Sequence, residues 1–326
     1  MTYGKQNTEA EGHEQMDYAV SQGVNFFDTA ELYAIPPEPE TYGRTEEIIG
    51  NWFAKTGRRQ EIVLATKIVG RSGMPWFRPE GAETRLNRQQ IDYAVENSLK
   101  RLKTDYIDLY QLHWPDRRVN LFGGQTFRNF TDPYIAFEDT LEALNRHVEA
   151  GRVRHIGVSN ETPWGVMQFL RVAEKRGWPR LASIQNAYNM LNRVFEHGLA
   201  EIAMQEQVGL LAYSPLAQGY LTGKYQGGAL PPNSRKALFQ RLTRYETFNA
   251  DRAIDDYLAL AAEMKVPPVH LALRFCDTRP FMTSTIIGAT TMDQLKTAIG
   301  AFSLPWSDEV EKAVNAVHQR YPNLCP

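Results

Sequence analysis

Long apolar runs are missing from this chain: none approaches the roughly 20 residues that a bilayer-spanning helix needs, so a helical membrane protein is set aside. Blocks of one charge are missing as well. The 36 lysines and arginines stand interspersed with 38 aspartates and glutamates, which advertises neither nucleic acid nor an anionic membrane as partner. Cysteine is scarce. Cys276 and Cys325 lie far apart and match no metal-ligand spacing, which points to free thiols in a reducing compartment. The seven histidines include no His-x-His and no His-x-x-x-His pair, so no metal site is expected and metal hydrolysis lacks its ligands. A Gly-x-Ser-x-Gly elbow is absent, and no Gly-x-Gly-x-x-Gly follows an early strand. The first residues, MTYGKQNTEAEG, lack the basic and then apolar run of a signal peptide, so the expected location is cytoplasmic.

Apolar strands alternate with amphipathic helices along the whole chain. Strand patterns at 24–27, 62–66, 107–112, 155–158, 182–184, 209–212 and 285–287 are each followed by a helical pattern. The helices fall at 45–55, 88–102, 135–150, 162–176, 196–205, 249–264 and 292–299. An opening helix is read at 8–22 and a closing one at 307–320, with Thr45 and Asn87 as caps for two of the inner helices. Such alternation means a parallel sheet covered by helices. The helix count and the missing dinucleotide fingerprint favour α/β of the closed kind, a (β/α)8 TIM barrel, as a single domain over residues 1–326. Long loops follow strands at 70–86, 114–134 and 217–248, on the side where barrels carry their chemistry. The Pro-rich insert Ile35 to Glu40 reads as a stiff rim beside Tyr33.

Three strands end on ionisable residues. Asp28 closes the first and Tyr33 follows in its loop, Lys67 closes the second, and His113 closes the third with Pro115 just beyond. Parallel strands bring these ends to one side, so Asp28, Tyr33, Lys67 and His113 converge. Singly each has an ordinary explanation: a turn carboxylate, a loop aromatic, a solvated strand end, a donor before a proline turn. Together they form a proton-delivery set. A phenol is a poor acid near neutrality, an ammonium beside it makes its proton easier to release, and a carboxylate holds that ammonium charged and oriented. A Schiff-base role for Lys67 stays open, although it requires the neutral amine that Asp28 opposes.

The motifs Asp28-Thr-Ala-Glu-Leu-Tyr33, Lys67, His113-Trp-Pro115, Ile156-Gly-Val-Ser-Asn160, Gln185-Asn186, Tyr213-Ser-Pro-Leu216, Leu221-Thr-Gly-Lys224 and Ile287-Gly-Ala-Thr-Thr291 follow one another along the chain. Together they resemble the aldo-keto reductase superfamily, and within it the bacterial Tas-type reductases and the voltage-gated potassium-channel β-subunits. The resemblance implies a barrel that binds NADPH in extended form and reduces aldehydes or ketones. Tyr33 would then be the general acid, Lys67 its partner, Asp28 the orienter and His113 the donor that positions a small-molecule carbonyl substrate. It also implies that Ser159, Asn160 and Gln185 hold the nicotinamide carboxamide and that Tyr213 stacks on the ring. Ser214, Pro215, Leu216, Ala217 and Lys224 would follow the pyrophosphate, and Arg235 would take the 2'-phosphate. Gly288, Thr290 and Gln294 would open the last helix toward an anion.

Two departures qualify those implications. Thr297 and Ala298 stand where the channel subunits carry Glu and Asn for adenine. The first barrel strand is largely missing from this chain, and Met1 to Gly4 are expected to fill its stub. A second reading from another class is a regulatory or redox-sensing NADPH-binding subunit, and a third is a folded remnant without cofactor affinity. Trp76, Phe77, Trp114, Phe122, Phe127, Phe130 and Tyr134 would suit an apolar carbonyl compound or pack on one another. Monomer and homo-oligomer are both open.

Overall fold

The computed structural model describes residues 1–124, 126–240 and 243–326. Its contacts group into two compact units, Met1–Val119, Asn129–Gln185 and Gly288–Met292 forming the first, and Asn120–Arg128, Asn186–Ile287 and Asp293–Pro326 the second. The fold class is that expected, a (β/α)8 barrel type with seven strands among the described residues and no strand ahead of Phe26.

The first unit carries β1 (Phe26–Asp28), β2 (Val63–Ile68), β3 (Ile107–Leu112), β4 (Val153–Ser159) and β5 (Leu181–Ala187, to Gln185), with α1 (Glu9–Ser21), α2 (Arg44–Thr56), α3 (Arg88–Leu102), α4 (Phe137–Glu149) and α5 (Pro163–Arg176). Each strand is parallel to the next, in chain order. Register then sorts the side chains, because strand residues two apart share a face. Asp28 pairs with Ala65, Lys67 with Gln111, and Gln111 with Gly157, which puts the polar set on one face. Thr66, Tyr110 and Ile156 occupy the other. Phe27 belongs to that second face too, and its ring lies 5.5 Å from the fully buried Trp52 of α2. Gly50 lets α2 meet α3: a Cβ there would stand 2.2 Å from the carbonyl oxygen of Arg101.

In the second unit lie α6 (Leu199–Glu206), β6 (Gly209–Tyr213), α7 (Arg235–Phe239), α8 (Ala250–Glu263), α9 (Pro268–Asp277), β7 (Met282–Thr285), α10 (Met292–Gly300) and α11 (Asp308–Arg320). Strands β6 and β7 are parallel. Helices α7 and α9 were not among the elements legible in the pattern. The pair Pro267-Pro268 reads as a breaker, but Pro268 sits in the first turn of α9, where a missing N–H costs no helical bond. Leu271, Ala272, Leu273, Phe275 and Cys276 of that helix are buried.

Two local expectations fail. Thr45 does not cap α2: Gly43 holds that place in the left-handed region, and the Thr45 hydroxyl donates to the carbonyl oxygen of Tyr3 at 2.9 Å. Met1 to Gly4 form no strand either. The carbonyl oxygen of Thr2 accepts from the N–H groups of Lys5, Gln6 and Asn7, so the segment closes into a turn with a single bridge from Tyr3 to Asn7. Among the described residues no helix is long and apolar enough to cross a membrane.

Of the two caps expected, Asn87 holds, and two further caps are found. Thr8 and Glu11 form a reciprocal capping box on α1, Thr162 caps α5, and Asn87 Oδ1 accepts from Gln90 N–H at 3.0 Å to start α3. Replacing Asn87 with alanine should cost about 1 kcal/mol. An unfolding midpoint unchanged in urea would show that α3 does not rely on this cap.

Candidate active site

Lys67 projects from β2 into the first unit and has no exposed surface. Its ammonium donates to Asp28 Oδ2 at 2.6 Å and to the carbonyl oxygen of Thr29 at 2.8 Å. The other carboxylate oxygen, Asp28 Oδ1, accepts from Gln185 Nε2 at 2.8 Å and from Gln111 Nε2 at 3.1 Å. Gly157 makes this layer possible, since a Cβ there would lie 2.8 Å from Ser183 Oγ and 3.1 Å from Gln111 Cγ. Burial pulls the Lys67 amine below its ordinary range, and the adjacent Asp28 carboxylate opposes that pull.

Tyr33 lies over this pair, with the Lys67 nitrogen 5.1 Å from its ring centroid. His113 meets the same ring edge to face, centroids 5.7 Å apart at 81°. The four residues expected to converge are therefore neighbours. His113 is buried, and burial followed by the Lys67 charge holds its imidazole well below the usual histidine range. It is neutral at pH 7 and has one N–H to give. Its Nδ1 is buried without a hydrogen-bond partner, and its carbonyl oxygen accepts from Asn160 Nδ2 at 2.9 Å.

Ser159, Asn160 and Gln185 are brought together in the same unit. Ser159 Oγ and Asn160 N–H both donate to the carbonyl oxygen of Gln185, at 2.7 and 3.0 Å. Asn160 stands at φ +54°, a left-handed conformation that asparagine tolerates better than most residues. Gly288 is exposed and Thr290 half-buried in this unit, where the carbonyl oxygen of Thr290 accepts from Asn7 Nδ2 at 2.9 Å.

The other expected cofactor residues belong to the second unit. Tyr213 ends β6, half-buried, and its hydroxyl accepts from Arg244 Nη1 at 3.2 Å. Ser214 and Ala217 take positive φ, and Ala217 N–H donates to the carbonyl oxygen of Ser214, so 214–217 is a tight turn that includes Pro215. Leu216 packs against the core of Leu273, Ala298 and Ala301. Ala298 is thus a core residue rather than a surface contact. Lys224 and Arg235 are half-buried, and Gln294 is exposed.

Three residues beside the tetrad were missed. Gln111 stands two positions before His113 on β3, and that spacing alone could have placed it on the same face. Glu31 lies inside the Asp28 to Tyr33 motif. Arg78, which pairs with Glu31, sits in a long loop and gives no sequence signal. Of the loop aromatics, Phe77 is fully buried behind Tyr33, with Trp76 and Trp114 packed partly buried on the same cluster. Phe122 and Phe127 are exposed.

Residues 1–319 of the chain match the family model described as Aldo/keto reductase family. The chain belongs to the aldo/keto reductase family. Protein tas of Escherichia coli (strain K12) is 48% identical over 100% of this chain and 94% of the relative. An aldo-keto reductase of Babesia bovis is 40% identical over 80% of this chain and 97% of its own. A probable voltage-gated potassium channel subunit beta of Arabidopsis thaliana is 31% identical over 91% and 83%. Membership makes the chain an oxidoreductase of a family that uses nicotinamide cofactors on small molecules.

The histidine has a measurable consequence for this aldo/keto reductase. An unfolded imidazole takes up a proton near pH 6.5, whereas folded His113 resists protonation. The unfolded state therefore binds more protons as pH falls below about 6.5, and stability is lost in that window. His147 and His318 shift the same way, His318 to about 4, so the wild type carries several such contributions. His113→Asn should lose less stability than wild type between pH 7 and 5, by about 1–2 kcal/mol. An equal fall in unfolding free energy from pH 7 to pH 5 for wild type and variant, measured by urea titration at the two pH values, would contradict this.

Proposed function

We propose that this protein reduces aldehydes or ketones to alcohols with NADPH, Tyr33 acting as general acid. The observation that carries the reading is the fully buried Lys67, bonded to Asp28 at 2.6 Å and lying 5.1 Å from the Tyr33 ring. A cation held so close favours the phenolate, and Tyr33 can then hand its proton to a carbonyl oxygen. Asp28 keeps Lys67 in place and compensates its charge. Neutral His113 donates one hydrogen bond to the substrate oxygen and orients it. Reduced nicotinamide, when bound, supplies the hydride to the adjoining carbon.

Residues of each unit, taken by themselves, suit parts of such a cofactor. Ser159, Asn160 and Gln185 gather amide and hydroxyl groups beside Asp28 and His113, suited to a carboxamide. Tyr213 offers a flat ring, the turn at 214–217 and Lys224 suit a pyrophosphate, and Arg235 suits the 2'-phosphate. Gly288, Thr290 and Gln294 precede or begin α10, whose first amides suit an anion. The setting is a cytoplasmic one in which Cys276 and Cys325, both buried, stay reduced. The likeness to channel β-subunits favours a second reading, an NADPH-binding regulatory or redox-sensing subunit with little turnover.

Turnover separates the two. NADPH absorbance, followed with a panel of aromatic and aliphatic carbonyl compounds, should fall with wild-type protein. Tyr33→Phe should lower kcat on the order of 10²- to 10⁴-fold while NADPH still quenches intrinsic fluorescence at about the same concentration. A Tyr33→Phe variant as fast as wild type would remove the phenol from the chemistry. Tight NADPH binding with negligible wild-type turnover would favour the regulatory reading. Arg235→Ala should weaken NADPH binding roughly tenfold or more and leave NADH binding unchanged. Equal effects on both cofactors would take the 2'-phosphate away from Arg235.

A further inference from the structure

The loop that carries Tyr33 is held by more than backbone pairing. Past Asp28 the pairing with β2 continues: Thr29 N–H donates to the carbonyl oxygen of Ala65 at 2.9 Å, and Glu31 N–H to that of Lys67 at 3.1 Å. A side chain makes the next rung, Val69 N–H donating to Glu31 Oε1 at 2.7 Å. Arg78, from the loop between β2 and α3, closes on this carboxylate with both terminal nitrogens. Its Nη1 reaches Oε2 at 3.1 Å and its Nη2 reaches Oε1 at 3.0 Å. The two side chains are 1% and 0% exposed, so neither end meets water.

Arg78 is itself anchored, Nη1 donating to the carbonyl oxygen of Phe77 at 2.8 Å and Nε to Gln90 Oε1 at 3.2 Å. Its neighbour Phe77 packs in one buried cluster with Ala30, Leu32, Tyr33 and Val69. A single ion pair thus ties a point two residues before Tyr33 to a point two residues past Lys67, and to the aromatic wall behind the phenol. Stability alone does not require charges here, since apolar groups of similar volume often serve a core as well or better. A planar guanidinium gripping a carboxylate with two bonds does fix orientation.

We propose that Glu31 and Arg78 are a positioning pair for Tyr33: together they set how its phenol stands over Lys67, and neither touches substrate. The proposal rests on the reading of Tyr33 as general acid. The pair shares its surroundings with Tyr42, Glu46, Arg101 and Tyr110, whose hydroxyl is buried without a partner. Removing one charge would leave the other buried and uncompensated. The informative variant is therefore Glu31→Gln with Arg78→Met, which removes both charges and keeps an acceptor for Val69.

That double variant should fold, bind NADPH and show a KM within about twofold of wild type, while kcat falls roughly 10- to 100-fold, as expected when a reacting group is misplaced by a fraction of its length. Arg78→Lys, which keeps the charge and loses the fork, should fall between. A folded double variant with wild-type kcat overturns the proposal, as does a parallel collapse of cofactor binding and kcat. If the double variant does not fold, Arg78→Lys decides: reduced kcat at unchanged KM supports the pair's role, and wild-type kcat refutes it. A wild type that turns over no carbonyl compound refutes the general-acid reading instead. The pair is then judged from 13C-tyrosine spectra, with the Tyr33 signal assigned by Tyr33→Phe. A shifted ring resonance in the double variant supports the proposal, and an unmoved one overturns it.

Discussion

Lys67 is a cation with no access to water, and the first unit is arranged around that fact. An ammonium in a low-dielectric interior is costly unless an opposite charge and further acceptors meet it. Asp28 provides the charge and the Thr29 carbonyl a second acceptor. The carboxylate has its own needs, which Gln111 and Gln185 meet from β3 and β5. One cation therefore requires β1, β2, β3 and β5 to be in register, because a slip of one residue on any of them would turn its polar group to the opposite face.

That opposite face carries a second polar layer. Glu46 of α2 accepts from Thr66 Oγ1 at 2.5 Å and from Arg101 Nε of α3 at 2.7 Å, joining two helices to the back of β2. The Arg101 guanidinium is pushed above its ordinary range by the Glu46 carboxylate against the cost of its burial. The strand that bears Lys67 is thus gripped from both sides, by Asp28 in front and by Glu46 behind. Rigidity of this kind is what the proton transfer proposed for Tyr33 would need, since such transfer depends on distances held to a fraction of an ångström.

Strand ends announced the tetrad because the first three strands are short, mostly apolar, and run into an ionisable residue at or just past the C-terminal end, Asp28, Lys67 and His113. Period-two alternation does the rest: Asp28, Lys67 and His113 must share a face if the strands are parallel. The same rule contains Gln111, which escaped notice because an amide at a strand interior looks like any half-buried polar residue. The Thr45 cap failed for a different reason. Its hydroxyl is claimed by Tyr3, forty-two positions away, a contact no local pattern encodes.

Local chemistry in the chain was enough to determine the strand and helix alternation, most helix starts, and which side chains reach one end of the sheet. Those features depend on propensity, caps and periodicity, all of which act within a few residues. Tertiary structure decided what each buried charge is paired with. Arg78 finds Glu31 across forty-seven positions and Gln185 finds Asp28 across one hundred and fifty-seven. Such partners are selected by burial, where every charge and amide must find a mate or be excluded from the core, and burial exists only once the chain has folded.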